Sequence, residues 1–180
     1  MSDHAKLKFA QIAVQYYVAG RSAAISQLIP VLGNLFHHAI EMSLKAGLAE
    51  HKALPELKKL NHDLTKIWNQ FKGQYPTAAS TKFDDVIVEL QRFEELRYPD
   101  SVLAQGASME LILFREHLVG VPGTSPTAVP RYAIILEDID DLMAFILGTA
   151  SLNPHFFVGS MGPEGRRCLL LHNRLANVWE

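Results

Sequence analysis

A chain of 180 residues, 48% apolar and 20% charged, has the makeup of one globular domain with a sizeable core, or of a domain with an appendage. Its formal net charge of −2 supplies no overall positive field, so nucleic acid or an anionic membrane would have to meet a local patch. The single cysteine, Cys168, excludes an internal disulfide and a cysteine-built zinc cage.

The N-terminal MSDHAKLKF carries no long apolar run and does not read as a signal peptide. No apolar stretch approaches the roughly 20 residues that span a bilayer, so the expectation is a cytoplasmic protein with no membrane segment. A first helix is expected over residues 5 to 28. Phe9, Ala13, Tyr16, Tyr17 and Gly20 recur at helical spacing, Ala23, Ala24, Ile25 and Leu28 extend the run, and Gly20 offers a place to bend. Pro30 suits the opening turn of a second helix, 31 to 50, striped by Leu32, Leu35, Phe36, Ala39, Ile40 and Ala46. From Pro55, a clean stripe of Leu57, Leu60, Leu64, Ile67, Trp68 and Phe71 marks a third helix, starting at Glu56 or recapped at Asn61.

A fourth helix, 81 to 96, places Asp84 and Asp85 in its first turn, where the helix dipole favours them, and turns Val86, Leu90 and Phe93 inward. The segment RYPD, Arg97 to Asp100, closes it, because a residue before proline avoids the α region; Arg97 would cap the helix with Tyr98 and Pro99 buried beneath. Residues 101–130 join apolar MELILFREHLVGV to PGTSPTAVP and read as a short hairpin or an irregular insertion. A last long helix, 132 to 150, turns Ile135, Ile139, Leu142, Met143, Ile146 and Leu147 inward, and 166 to 178 reads as a small C-terminal helix. The fold class expected is all-α: an up-and-down bundle of about five helices over 1–150, with residues 151–180 as an appendage packed on it.

On the second helix, Asn34, His38, Glu41 and Lys45 share a polar stripe beside the apolar one. Glu41 precedes Lys45 by four, the favourable order for a helical ion pair, worth about 0.2–0.5 kcal/mol when exposed. The simplest reading is a polar flank with one surface salt bridge. The functional reading is a groove between the second and third helices that gathers a binding set of Asn34, His38, Glu41, Lys45, His62 and Asp63, with histidine as acid or base near neutral pH. In either case Asp63 suits the first turn of its helix, and His62 suits a hydrogen bond to Glu41 or to the second helix's backbone. No metal and no cofactor is expected. The His-Glu-x-x-His pattern is absent, and adjacent His37 and His38 point about 100° apart. Gly-rich phosphate loops and a Gly-x-Ser-x-Gly elbow are absent too, and Cys168 has no identifiable base.

Taken in order, three motifs and a final long helix resemble the HEPN superfamily of small helical bundles over residues 5 to 150. The motifs are HHAIEMSLKAGL, with Ala39, Glu41 and Lys45 in A-x-E-x-x-x-K spacing, then NHDL with His62, Asp63 and Leu64, then LRYPD. The resemblance implies an up-and-down bundle, often dimeric, soluble and typically prokaryotic. Many such proteins are metal-independent ribonucleases with an Arg-x4–6-His motif at a dimer interface. Others lack the motif and bind nucleotides or partners, sometimes beside a nucleotidyltransferase.

This chain departs from that pattern in its last long helix, RYAIILEDIDDLMAFIL, which has no histidine and carries Glu137, Asp138, Asp140 and Asp141 as what reads as a solvated acidic face that would repel RNA. An Arg-x4-His does occur at Arg167 and His172, in the most basic short stretch, although Leu169 to Leu171 read as a small docking helix. In a ribonuclease, His172 would take the ribose 2′-hydroxyl proton while Arg167 stabilised charge on the phosphate. The expectation is therefore a homodimeric, non-catalytic module that binds a nucleotide, RNA or a cognate protein through helices one and two, with Tyr16, Tyr17 and the Asn34/His38/Glu41 flank. The alternative is a ribonuclease using Arg167 and His172.

Overall fold

Small residues let the first two helices approach closely, and this hairpin organises the rest. The computed structural model describes residues 2–97, 100, 106–118 and 130–180. In it, α1 (Ser2–Ile25) and α2 (Ile29–Leu48) lie side by side, burying Ala10, Ala13, Val14 and Tyr17 against Phe36, Ala39 and Ile40. Tyr16 points away from that face and stays exposed, so of the two tyrosines only Tyr17 joins the core. α1 runs on through Gly20, whose role is close approach: a Cβ there would sit 2.6 Å from the Phe36 ring. The helix stops at Ile25, short of Leu28, because Gln27 turns left-handed at φ 57°. The Leu28 N–H then reaches back to Ala23 O at 2.8 Å and the Gln27 N–H to Ala24 O at 3.0 Å, the pair of bonds that closes a Schellman end.

Gly33 on α2 meets the ring of Phe93, and a Cβ would lie 1.9 Å from it. Gly33→Ala is expected to cost about 1–3 kcal/mol of stability by overpacking. Gly73→Ala, on the exposed side of a helix with nothing within 4 Å, should instead gain up to about 1 kcal/mol, both read from urea midpoints.

The stripe expected for one third helix spans two. α3 (Leu54–Lys58) ends, Asn61 adopts the left-handed region at φ 51°, and α4 (Leu64–Gln74) starts afresh. The N-cap is Asp63, whose carboxylate accepts the Lys66 N–H at 2.9 Å, and not Asn61. Leu57, Leu60, Leu64, Ile67, Trp68 and Phe71 are all buried, since both pieces face the same core. α5 (Asp84–Arg92) is shorter than the sequence suggests and is flanked by 3-10 turns at Ala78–Phe83 and Phe93–Arg97. Asp84 does more than sit at a dipole: Trp68 Nε1 and Lys72 Nζ both donate to it at 2.7 Å. Tyr98 and Pro99 lie outside the described residues, as does the Arg97 side chain.

Two short strands, β1 (Ser108–Ile112) and β2 (Arg131–Ile135), pair in parallel with Ser108 beside Arg131 and Ile112 beside Ile135. A hairpin would be antiparallel, so the hairpin expectation for 101–130 does not hold for this pair. β2 also takes the first residues assigned from sequence to the last helix, because Tyr132 and Ile134 alternate inward at the period of a strand. α6 (Leu136–Thr149) follows at once, burying Leu136, Ile139, Leu142, Met143, Ile146 and Leu147.

The C-terminal helix expected over 166–178 is broken. After α7 (His155–Val158), α8 (Pro163–Leu170) ends where Leu171 extends and His172 turns left-handed, and a 3-10 turn at Ala176–Val178 leads to Trp179. Cys168, Leu169 and Trp179 are buried, and the Trp179 ring stacks on Tyr17 at 5.2 Å. Apart from the small sheet the architecture is helical, and no described helix is long and apolar enough to cross a membrane.

Candidate functional site

Glu41 sits on the inner side of α2 with no exposed surface, although the sequence allows a surface position. Lys45, one turn on, donates to its Oε1 at 2.6 Å and to Asn61 O at 2.7 Å. The salt bridge is therefore buried, because the turn between α3 and α4 folds over it. His38 Nδ1 lies 3.3 Å and His62 Nδ1 3.0 Å from the other carboxylate oxygen, Oε2. Burial alone would push the Glu41 carboxyl up. Hydrogen bonds from His38, Lys45 and His62, with the charge of Lys45, outweigh it and hold the group at about 2. With Nδ1 engaged, each imidazole has only Nε2 left to offer: a lone pair when neutral, an N–H when protonated.

The two rings differ in access. His62 is 54% exposed and His38 21%, their centroids are 5.9 Å apart, and the exposed Tyr16 ring lies 5.3 Å from His38. The left-handed Asn61 makes this possible, since it turns the chain so that its own carbonyl meets Lys45 while the next side chain meets Glu41. His37, adjacent to His38 in sequence, points the other way into the core. Its Nδ1 faces Leu90 O and its Nε2 faces His62 O, both at 3.1 Å. A neutral ring donates to one of these carbonyls, and a doubly protonated ring donates to both. His37 thus ties α2 to α5 and to the α3–α4 turn, a role the sequence reading missed. The doubled histidine was the available signal, since its second member lies on the polar stripe and the first must then turn about 100° toward the apolar one.

Of the six binding residues expected from sequence, the structure joins four: His38, Glu41, Lys45 and His62. Asp63 is committed to capping α4. Asn34 turns its Oδ1 inward, where it has no hydrogen-bond partner among the described residues. No family model matches this chain, and no curated protein or solved structure matches it.

Arg167 and His172 diverge. Arg167 turns back along α8 to Glu164 at 2.8 Å, while the His172 ring lies edge-on to Phe114 at 6.3 Å. His172 lines a cleft of about 510 Å³ with His117, over a floor that includes Ile25, Ile29 and Leu111.

A second polar network, which the sequence pattern does not show, is centred on the buried side chains of Arg21, Tyr17, Asp140 and Asn173. Arg21 forks onto both oxygens of Asp140, and its remaining donors reach Cys168 O and Leu171 O. Tyr17 donates to Asp140 at 2.6 Å, and Asn173 donates to Leu169 O at 2.9 Å. Burial, helped by the Asp140 charge, pushes the Tyr17 hydroxyl well above its usual value, so it acts here as a neutral donor. Asp140 is consequently no part of a solvated acidic face. Glu137 and Asp138 are also largely covered, ion-paired with Arg174 and Arg115 respectively. Asp140 stands four residues after Leu136 and three before Met143, within the inward stripe, and a charge at such a position requires a buried partner. The network locks residues 168–173 onto α1 and α6, with Trp179 over Tyr17.

Proposed function

We propose that this chain is a HEPN-like binding module, without catalysis of its own, that takes a nucleotide or single-stranded RNA on the face formed by Tyr16, His38 and His62. One observation carries the reading: a buried, ionised glutamate fixes two imidazoles by the same nitrogen, so that two Nε2 atoms and an exposed aromatic ring share one surface. A base can stack on Tyr16, and the Nε2 atoms can accept from an exocyclic amine or, when protonated, donate to phosphate. Tyr17 is excluded from this face by its burial. The resemblance in sequence order supports the same reading, as does the engagement of Arg167 with Glu164 while His172 lies against Phe114. A second copy of the chain remains the expected partner, and the cytoplasm the expected compartment.

Calorimetric titration with ATP and with a short oligoribonucleotide, run in EDTA and again after dialysis against zinc, tests it. Saturable binding in at least one condition, weakened about tenfold or more in both Tyr16→Ala and His62→Ala, is expected. Absence of binding in both conditions, or binding indifferent to both substitutions, would remove the reading. Cleavage of the RNA in EDTA that disappears in His172→Ala would replace it with the ribonuclease, in which His172 would act from the cleft it shares with His117.

A further inference from the structure

Helix α2 lacks a His-Glu-x-x-His pattern, and His37 and His38 diverge, but the structure supplies a different second histidine. His38 and Glu41 are three apart on α2 and so face the same way, and the α3–α4 turn delivers His62 to the same carboxylate. Their three donor atoms, His38 Nδ1, Glu41 Oε2 and His62 Nδ1, all lie within 4.8 Å of one another.

We propose that His38, Glu41 and His62 bind one divalent transition-metal ion of borderline softness, zinc being the natural occupant. Two nitrogens and one carboxylate oxygen are the donor set such ions take in open, three-ligand sites. With metal–ligand bonds of about 2.0–2.1 Å, neighbouring ligands of a tetrahedral ion stand about 3.3–3.4 Å apart. The two histidine-to-carboxylate separations of 3.3 and 3.0 Å already lie within a few tenths of an ångström of that edge. The third edge, between the two Nδ1 atoms, is within 4.8 Å, and the exposed side of His62 gives its ring room to turn and an ion its path in.

The exchange balances in protons. In the metal-free site each neutral ring keeps its proton on Nδ1, donating to Oε2. On binding, each Nδ1 turns its lone pair to the ion and the same proton count is held at Nε2, which is free of protein partners among the described residues. Glu41 ligates through Oε2 alone, because Lys45 occupies Oε1 and already holds the carboxylate in place. The Lys45 charge opposes a dication, so the affinity expected is that of an open site and below that of a four-ligand structural zinc. Three protein ligands leave a tetrahedral ion one position for a solvent or ligand atom, and the exposed Tyr16 ring lies 5.3 Å from the His38 ring. There the ion would accept a phosphate oxygen if the binding reading above holds, but the metal site stands on its own distances and is tested without nucleotide.

The test uses protein stripped with EDTA and titrated with cobalt(II) alone, read by its visible d–d bands and reversed with zinc. One cobalt per chain is expected, with affinity falling about 100-fold or more in His38→Ala and in His62→Ala and unchanged in the control His51→Ala. Circular dichroism establishes that each variant is folded, which the exposure of His62 makes readily attainable. His62→Cys supplies the direct signature. A cysteine thiolate reaches about as far from its Cβ as an imidazole ligating through Nδ1, so this variant should regain cobalt and add a near-ultraviolet thiolate-to-cobalt band that the wild type lacks. Failure of folded wild type to take up cobalt at millimolar concentration would overturn the proposal. So would uptake that His62→Ala leaves intact, or a His62→Cys protein whose bound cobalt shows no thiolate band. Nucleotide binding without metal uptake would sink this inference and spare the binding module, and metal uptake without nucleotide binding would do the reverse.

Discussion

Replacing Glu41 by alanine is expected to lower the free energy of unfolding by about 3–5 kcal/mol, the range seen when one member of a buried ion pair is removed and the other is left behind. The charge stranded is Lys45, which is 7% exposed and would keep only Asn61 O as a partner. His38 and His62 would lose their common acceptor at the same time. Glu41→Gln preserves the shape but not the acceptors. Its amide has one oxygen for two opposed sets of donors, so whichever way it flips, an N–H faces Lys45 or the two imidazoles.

The glutamine variant isolates the charge. Glu41 is held at about 2 in the fold against an ordinary value of 4.5, so the unfolded chain takes up this proton first as the pH falls. The contribution is complete above about 4.5 and disappears between there and about 2, amounting over that interval to about 3 kcal/mol. Urea unfolding in chelator across the acid range should therefore show a steeper loss in wild type than in Glu41→Gln. Parallel acid limbs would mean that the three donors do not hold the carboxylate as the geometry indicates.

Asp140→Ala is expected to be as damaging, by about 3–5 kcal/mol, through the same physics in a drier place. Arg21 has no exposed surface, and after the substitution its guanidinium would face Tyr17 and a cavity, with only the carbonyls of Cys168 and Leu171 still accepting. The partner substitution Arg21→Ala should cost a similar amount and should also free the C-terminal segment, since Arg21 alone ties both of those carbonyls to α1. Amide exchange at residues 168–173 should accelerate in Arg21→Ala before global unfolding, with loss of the Trp179–Tyr17 stacking seen as a change in tryptophan fluorescence. The double variant Arg21→Met/Asp140→Leu removes both charges and fills the space, and its loss should be well under the sum of the single ones. Additive single and double losses would show that the two side chains do not act as a pair.

The apolar stripes were legible because they depend on local periodicity. Leu57, Leu60, Leu64, Ile67, Trp68 and Phe71 are inward whether one helix carries them or two, because a helix broken and restarted against the same core keeps its face. The His62–Glu41 contact was legible for a related reason: a polar side chain entering a helix beside a charged stripe has few places to go. The break at Asn61 and the cap at Asp63 were not separable in advance, since both residues cap helices well and the choice fell to which carbonyls α2 needed.

Sequence by itself determined that this protein is mostly helical and which apolar stripes are inward, and it offered a His62–Glu41 contact as one of two places for that side chain. Only tertiary structure decided that Glu41 is buried, that His37 and His38 part company, that 108–112 pairs in parallel with 131–135, and that Asp140 lies inside with Arg21. The reason is that pattern reports the direction of a side chain from its own helix axis. Whether water or a partner from 21, 53 or 119 residues away stands in that direction depends on elements that the local pattern does not contain.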